Sequence, residues 1–146
     1  MTCNIAINGF FGRMGQSIFE ESRNHNDVRV SVGCDVEEKI KSCRKIENVI
    51  FSSDITNNSE LFDVVIDFTL PKPSIELIKK CLILGKPLTI GTTGFNQEQK
   101  KYIGQASKDI PILLAPNMSQ GVNVSLESLS LIAKSLKEYD LSLIHI

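Results

Sequence analysis

Three spaced glycines near the amino terminus are the residues of this chain best suited to binding a phosphate. Gly9, Gly12 and Gly15 follow the apolar run 5–7, and a helical pattern follows them. In a dinucleotide-binding βα unit, one glycine allows a tight turn, another lets the backbone approach a pyrophosphate, and a third lets helix pack close to strand. The helix then directs unpaired N–H groups at the phosphates. The spacing predicts a pyrophosphate site at residues 9–14, although such a turn also occurs without a nucleotide.

Asp35 strengthens this prediction. It lies at the carboxyl end of the alternating stretch 28–34, 20 residues after Gly15. An acidic residue at this position accepts hydrogen bonds from the adenosine ribose of a dinucleotide. A lone Asp after a strand is usually a turn residue or a helix cap, but its spacing from the glycines favours the ribose role.

The elements that must position these residues alternate along the chain. Strands are predicted at 4–7, 28–34, 49–51, 63–68, 87–90 and 111–114, and helices at 12–22, 74–84, 97–107 and 124–139. Strands alternating with helices indicate a parallel sheet with right-handed crossovers. We therefore predict a Rossmann-type, doubly wound α/β fold. The polar segment 37–58 has no regular pattern.

Small polar loops follow three of the predicted strands, at residues 69–71, 91–94 and 115–119. Ligands of a doubly wound sheet bind outside the carboxyl ends of the strands, so these loops are predicted to form one rim with the glycine loop. Taken singly, each is a turn or a helix start, with Ser74 and Asn96 as candidate caps.

Composition excludes several classes of protein. The chain of 146 residues has the length of one ordinary domain, with 42% hydrophobic and 23% charged residues, which is typical of a globular protein. A net charge of −1 without a basic block argues against nucleic-acid binding. No apolar run has membrane-spanning length and no leader pattern is present, so a cytoplasmic location is expected.

The four cysteines, Cys3, Cys34, Cys43 and Cys81, form no CxxC pair and have no histidine spacing suited to zinc. We predict that they are reduced and structural, and that the chain has no metal site. None follows a strand as a nucleophile would, which disfavours a semialdehyde dehydrogenase.

Four motifs together, GFFGRMG, IDFTLP, IGTTGF and APNMSQGVN, resemble the 4-hydroxy-tetrahydrodipicolinate (dihydrodipicolinate) reductase family over about residues 4–139. The resemblance implies NADH- or NADPH-dependent reduction of a cyclic dicarboxylate on the diaminopimelate route to lysine. It implies a dinucleotide-binding domain at 1–118, and a hinge helix with the first strand of a substrate domain at 119–146. The cofactor-binding residues that it implies are Gly9, Phe10, Phe11, Gly12, Arg13, Met14, Asp35, Phe68, Thr69, Gly91, Thr92, Thr93, Ala115, Pro116, Asn117 and Met118, with Thr93 also near the substrate.

Two features depart from the family pattern. Phe10 and Phe11 stand where small residues are usual, and two phenyl rings must point away from a pyrophosphate or cap it. Val36 follows Asp35 where members that use both cofactors carry an arginine. Because a carboxylate repels a 2′-phosphate, we predict a preference for NADH, with Lys39 or Lys41 as cations that could offset the repulsion.

The third departure is at the carboxyl terminus. The sequence given ends at Ile146, and the catalytic residues that the resemblance implies, a His-His-x-x-Lys motif with the proton donor and a downstream Gly-Thr, are expected beyond Ile146. His145 falls before the expected position and is predicted to have no catalytic role. Either residues 141–146 are not authentic or the chain is a fragment. The resemblance implies a homotetramer for the complete protein and an inactive, monomeric or aggregation-prone fragment here. The alternative function is an NAD(P)H-binding module without catalysis.

Overall fold

The computed structural model describes residues 2–43 and 45–136. These residues contain six strands, β1 Cys3–Asn8, β2 Val28–Cys34, β3 Ile50–Ser52, β4 Val64–Asp67, β5 Leu88–Ile90 and β6 Ile112–Leu114. The helices are α1 Arg13–Ser22, α2 Glu37–Ser42, α3 Pro71–Leu84, α4 Gln97–Ala106 and α5 Gln120–Ser135, with a 3-10 segment at Ile55–Leu61.

All six strands are parallel, in the order β3-β2-β1-β4-β5-β6. The order reverses between β1 and β4, which creates the crevice where a doubly wound sheet binds its ligand. The predicted Rossmann-type α/β fold is thus confirmed. The chain divides into two compact units between Pro116 and Asn117, and the second unit contains α5.

The sheet of the first unit is covered on both faces. Ile5 and Ile7 of β1 belong to one apolar cluster, with Phe10 and Val30. The alternate residue Ala6 belongs to the other cluster, which includes Ile78 of α3 and Ile103 of α4. Successive strand residues point to opposite faces, so β1 is buried from both sides, as expected for a central strand of a parallel sheet.

The structure differs from the sequence expectations chiefly in α2, the 3-10 segment, α3 and α5. The segment 37–58 contains α2 and the beginning of the 3-10 segment, neither of which has an apolar stripe long enough to be recognised. Helix α3 begins at Pro71 rather than Ser74, because proline is well suited to the first helical position. Ser74 therefore lies inside the helix and does not cap it. Asn96 does cap α4, in a reciprocal capping box with Gln99.

Helix α5 begins four residues earlier than the apolar pattern predicts, at Gln120 instead of position 124. The Ser119 side chain accepts the amide of Val122 at 3.4 Å, so a serine cap sets the start of this helix. Within the described part of the chain, none of the helices combines the length and the apolar character needed to cross a membrane.

The expectations for the carboxyl terminus fall on residues outside those that the structure describes. They are the end of the last helix at Tyr139, the strand at 141–146 that finishes with Ile146, and the non-catalytic role of His145. The catalytic motif expected beyond Ile146 is likewise not part of residues 1–146. These four expectations therefore stay predictions.

Candidate functional site: the crevice at the carboxyl ends of the strands

A cleft of about 460 Å³ lies at the crevice between β1 and β4. The segments that follow β1, β2, β3 and β4 form its walls, so side chains distant in sequence meet there. The lining residues are Asn8, Gly9, Gly12, Asp35, Val36, Lys39, Ser53, Phe68, Thr69, Leu70 and Pro73. Of these, Asn8, Ser53 and Pro73 were not predicted from the sequence, whereas Leu70 belongs to the loop 69–71 that was predicted to form the rim.

The glycine loop has the shape of a phosphate cradle. Gly9 has φ +79°, a left-handed conformation that favours glycine. A Cβ atom at Gly15 would lie 2.5 Å from the carbonyl oxygen of Gly9 and 2.6 Å from that of Phe10, so only glycine lets α1 pack this close to the loop. The loop backbone and the start of α1 thus fit the requirements of a dinucleotide site.

Some amide groups of this loop are hydrogen-bonded within the protein, and others have no acceptor among the described residues. Those of Gly9 and Phe10 both donate to the carbonyl of Cys34, at 2.8 and 3.0 Å, and that of Gly12 donates to Gly9 at 3.0 Å. Within the described residues, the next three amides, at positions 13–15, have no hydrogen-bond acceptor. These are the first amides of α1, where the helix dipole favours an anion.

Phe10 lies away from the cleft. Its side chain is fully buried, and its ring packs edge-on against Phe11 and Phe51, with centroids 5.2 and 5.0 Å apart, and tilted against Phe19 at 5.3 Å. Such pairs stabilise beyond the area they bury. Of the two outcomes expected for this ring, pointing away from the phosphate site is the one observed. Phe10 can therefore reach a ligand only through its backbone, and its amide is already bonded.

The Asp35 carboxylate is hydrogen-bonded to the glycine loop. Its two oxygens accept the amides of Phe11 and Val36, each at 2.9 Å. Lys39 Nζ lies 3.1 Å from the nearer oxygen, and the Asp35 side chain is only 5% exposed. A carboxylate has about four acceptor positions, so Asp35 can hold the loop and still accept a further donor from the cleft.

The two lysines named from the sequence are placed differently. Lys39 lines the cleft beside Asp35. Lys41 instead pairs with Glu37 at 2.8 Å, and both of those side chains are largely exposed. Of the two, Lys39 is therefore the cation that the structure brings to the predicted ribose site.

The next loops carry a buried polar cluster. Asp67, Ser74 and Thr92 are almost completely buried. The Asp67 carboxylate accepts the side chains of Asn8 and Thr69 at 2.8 Å each, Thr92 at 3.2 Å, and Ser74. The hydroxyl of Thr92, a predicted cofactor contact, is therefore turned into the protein. Neither Asn8 nor Ser74 carries a sequence signal that places it in this cluster.

Further predicted residues follow β4, β5 and β6 along the chain. Phe68 lies with its ring against Gly91, and Thr93 is exposed. The amide of Ala115 donates to Ile90 at 3.0 Å, which extends the β5–β6 edge towards Pro116. Asn117 and Met118 belong to the second unit, where the Asn117 side chain accepts the amide of Ser119 at 3.1 Å.

A family model described as "Dihydrodipicolinate reductase, N-terminus" matches residues 3–118. The chain belongs to the dihydrodipicolinate reductase family. Its identity to 4-hydroxy-tetrahydrodipicolinate reductase of Hahella chejuensis is 40%, covering 96% of this chain and 56% of that protein. For the same enzyme of Pelagibacter ubique the identity is 37%, covering 95% and 53%. The chain thus spans about half the length of the curated relatives it matches.

Solved structures agree with this membership at the level of the fold. A dipicolinate-bound dihydrodipicolinate reductase from Paenisporosarcina sp. TG-14 superimposes with a TM-score of 0.79 at 24% identity, covering 91% of this chain and 54% of that one. An apo scyllo-inositol dehydrogenase from Lactobacillus casei superimposes with a TM-score of 0.69 at 16% identity. The N-terminal domain of the dihydrodipicolinate reductase family binds a nicotinamide cofactor, and the cradle at Gly9 and α1 fits one.

A larger cleft of about 730 Å³ lies at the other edge of the sheet, bordered by Thr2, Arg23 and Asn48. It is near the amino ends of β1 and β2, away from the glycine loop, whereas dinucleotides bind at the carboxyl ends of such strands. Size alone therefore does not identify the cofactor site of this dihydrodipicolinate reductase family member.

Among the described residues, neither the two buried thiols nor a cluster of potential metal ligands supplies a reactive group. Burial raises the pKa of Cys34 and of Cys81 to about 12, so both remain protonated and unreactive at neutral pH. All four cysteines are free thiols. Among residues 2–43 and 45–136, His, Cys, Asp and Glu side chains form no group of three or more that could hold a metal ion.

Proposed function

We propose that this chain is the cofactor-binding half of a 4-hydroxy-tetrahydrodipicolinate reductase of lysine and diaminopimelate biosynthesis. The observation that carries the proposal is that Gly9, Gly12 and the Asp35 carboxylate line one cleft, and that the amides directly after Gly12, at positions 13–15, have no acceptor among the described residues. The amides complement the pyrophosphate and the carboxylate complements the ribose of a dinucleotide. The bound nicotinamide supplies the hydride, and the protein supplies orientation and electrostatics.

The residues divide the cofactor between the two sides of the crevice. The loop from Gly9 to Met14 is assigned to the pyrophosphate, with the amides of Arg13 and Met14 as donors. Asp35 is assigned to the adenosine ribose. The exposed side chains of Val36 and Leu70 both border the cleft and offer apolar surface to the adenine ring.

The nicotinamide half is assigned to the β4 and β5 side of the crevice. Phe68, Thr69, Gly91, Thr92 and Thr93 follow those two strands, with Thr93 nearest the substrate. The segment 115–118 is assigned to closing over the nicotinamide. The family's proton donor belongs to the His-His-x-x-Lys motif, which residues 1–146 do not contain, so these residues hold the hydride donor and another part of the complete enzyme supplies the proton.

We propose that the chain prefers NADH but still binds NADPH. Asp35 repels a 2′-phosphate, and Val36 offers no guanidinium to offset it. Lys39 Nζ, 3.1 Å from Asp35, neutralises part of that charge. Because Lys39 is half exposed, its contribution is that of a surface ion pair and stays modest.

Nucleotide affinity tests the cofactor assignment. Kd values for NADH and NADPH are measured by titration calorimetry on the wild type, on Lys39→Ala and on the matched Lys41→Ala variant. We expect tighter NADH binding in the wild type and about threefold weaker NADPH binding in Lys39→Ala, with Lys41→Ala unchanged. Comparable wild-type affinities for the two cofactors would refute the preference.

The reductase activity is tested on the product of the complete reading frame. We expect the frame to continue beyond Ile146 into His-His-x-x-Lys and then Gly-Thr. Its product should be a cytoplasmic homotetramer that oxidises NADH only when the dicarboxylate substrate is present. A stop codon directly after codon 146, together with NADH binding but no turnover, would refute the reductase function and favour an NAD(P)H-binding module without catalysis.

A further inference from the structure

The buried Asp67 carboxylate joins the segments that border the cleft. Its donors come from the end of β1 (Asn8), the loop after β4 (Thr69), α3 (Ser74) and the loop after β5 (Thr92). Among the described residues, all its hydrogen-bond partners are uncharged. Burying an ionised carboxylate is costly unless hydrogen bonds compensate it, and here four neutral donors perform that role.

A carboxylate fixes the direction of every hydroxyl around it. A carboxylate can only accept hydrogen bonds, so the hydroxyls of Thr69, Ser74 and Thr92 donate to Asp67 or to one another. Thr92 Oγ1 donates a hydrogen bond to Asp67, and its lone pairs accept the amide of Thr69 at 3.0 Å. The loop after β4 is thereby bonded to the loop after β5 in one defined arrangement.

Two close contacts connect this arrangement to the cleft. Thr69 Cγ2 would be 2.8 Å from a Cβ atom placed on Gly9, so its methyl group lies directly against the glycine loop. The Phe68 ring covers Gly91 on the other side. The glycine loop keeps its own hydrogen bonds to Cys34 and Asp35, so a change in the direction of Thr69 would act chiefly at the rim assigned to the nicotinamide.

We propose that Asp67 is the positioning residue of the cofactor cleft: through Thr69 and Thr92 it holds the loops after β4 and β5 in the arrangement that receives the nicotinamide half. It acts without touching the cofactor, since its side chain is 0% exposed. This proposal rests on the proposed cofactor binding and adds a residue to it.

The test separates the two halves of the cofactor. Kd values for NADH and for ADP, which lacks the nicotinamide half, are measured by calorimetry on the wild type, Asp67→Asn and Ser74→Ala. The asparagine side chain has the shape of aspartate, but its NH₂ group is a donor facing hydroxyls that donate to Asp67 in the wild type. Ser74→Ala keeps the carboxylate, changes a residue remote from the ligand, and serves where Asp67→Asn does not fold. Asp63→Asn is the matched control, because exposed Asp63, just before β4, accepts only the amide of Asn4, at 2.8 Å, among the described residues.

We expect both network variants to bind NADH about tenfold more weakly, as for the loss of one hydrogen bond to a charged group, with ADP affinity within about twofold of the wild type. The control should keep both affinities. If the variants bind NADH and ADP more weakly by the same factor, or if neither Kd changes, the proposal is overturned and cofactor binding itself stands. Failure of the wild type to bind either nucleotide would instead refute the proposed function itself.

Discussion

Replacing Gly15 by alanine tests whether the close approach of α1 to the glycine loop determines both stability and binding. The new Cβ atom would lie 2.5 and 2.6 Å from two backbone carbonyl oxygens, neither of which can move without displacing the loop. Overpacking of this kind costs up to about 3 kcal/mol. Alanine regains about 1 kcal/mol of helix propensity over glycine, which leaves a net loss of about 2 kcal/mol in the free energy of unfolding.

Gly104→Ala is the matched control. Gly104 is also helical, in α4, but a Cβ atom there meets nothing within 4 Å, so only the propensity gain remains and the variant should be stabilised by about 1 kcal/mol. Urea unfolding followed by circular dichroism measures both changes, and NADH titration should show weaker binding for Gly15→Ala alone. A Gly15→Ala variant as stable as the wild type, with equal NADH affinity, would refute the reasoning.

Three further outcomes follow from the structure. Phe10→Ala should lower the free energy of unfolding by about 3–5 kcal/mol, because it empties the centre of an aromatic cluster; a loss below about 1 kcal/mol in urea unfolding would contradict this. Asn96→Ala should cost about 1 kcal/mol by removing the α4 cap, measured in the same way. Cys34 and Cys81 should react with a thiol reagent at pH 8 only after unfolding, whereas the other two cysteines react in the native state. Burial raises the pKa of Cys34 and of Cys81 from 9.0 to about 12. The free energy of unfolding should therefore be at its full value below pH 9 and should decline as the pH rises towards 12.

The framework of the fold could be predicted from local patterns. Strand β2 was predicted with its observed bounds, Val28–Cys34, because apolar residues alternate and polar residues flank it. Helix α2 was not predicted, because six residues carry no apolar stripe. Its signal was electrostatic: Glu37 and Glu38 in the first turn, Lys39 and Lys41 in the last, which is the arrangement that a helix dipole favours.

The site was less accessible to sequence reasoning, since its contacts are long-range. Ser74 has the residue type of a helix cap, but Pro71 starts the helix earlier and turns the Ser74 hydroxyl towards Asp67 and Thr92. The position of the Phe10 ring depends on its contact with Phe51 of β3, about forty residues further along the chain. Nothing in the neighbouring sequence of either residue identifies these partners.

The central position of β1 has a consequence for how the chain folds. This strand is the first in sequence, yet its neighbour across the crevice is β4, with Ile5 opposite Val64. The pairing closes a loop of nearly sixty residues, and such closure must be completed before its contacts contribute stability. We therefore expect β1 and β2 to associate early and the crevice to assemble late. During synthesis on a ribosome, the glycine loop would emerge before β4, so the cleft could form only after β4 has been made.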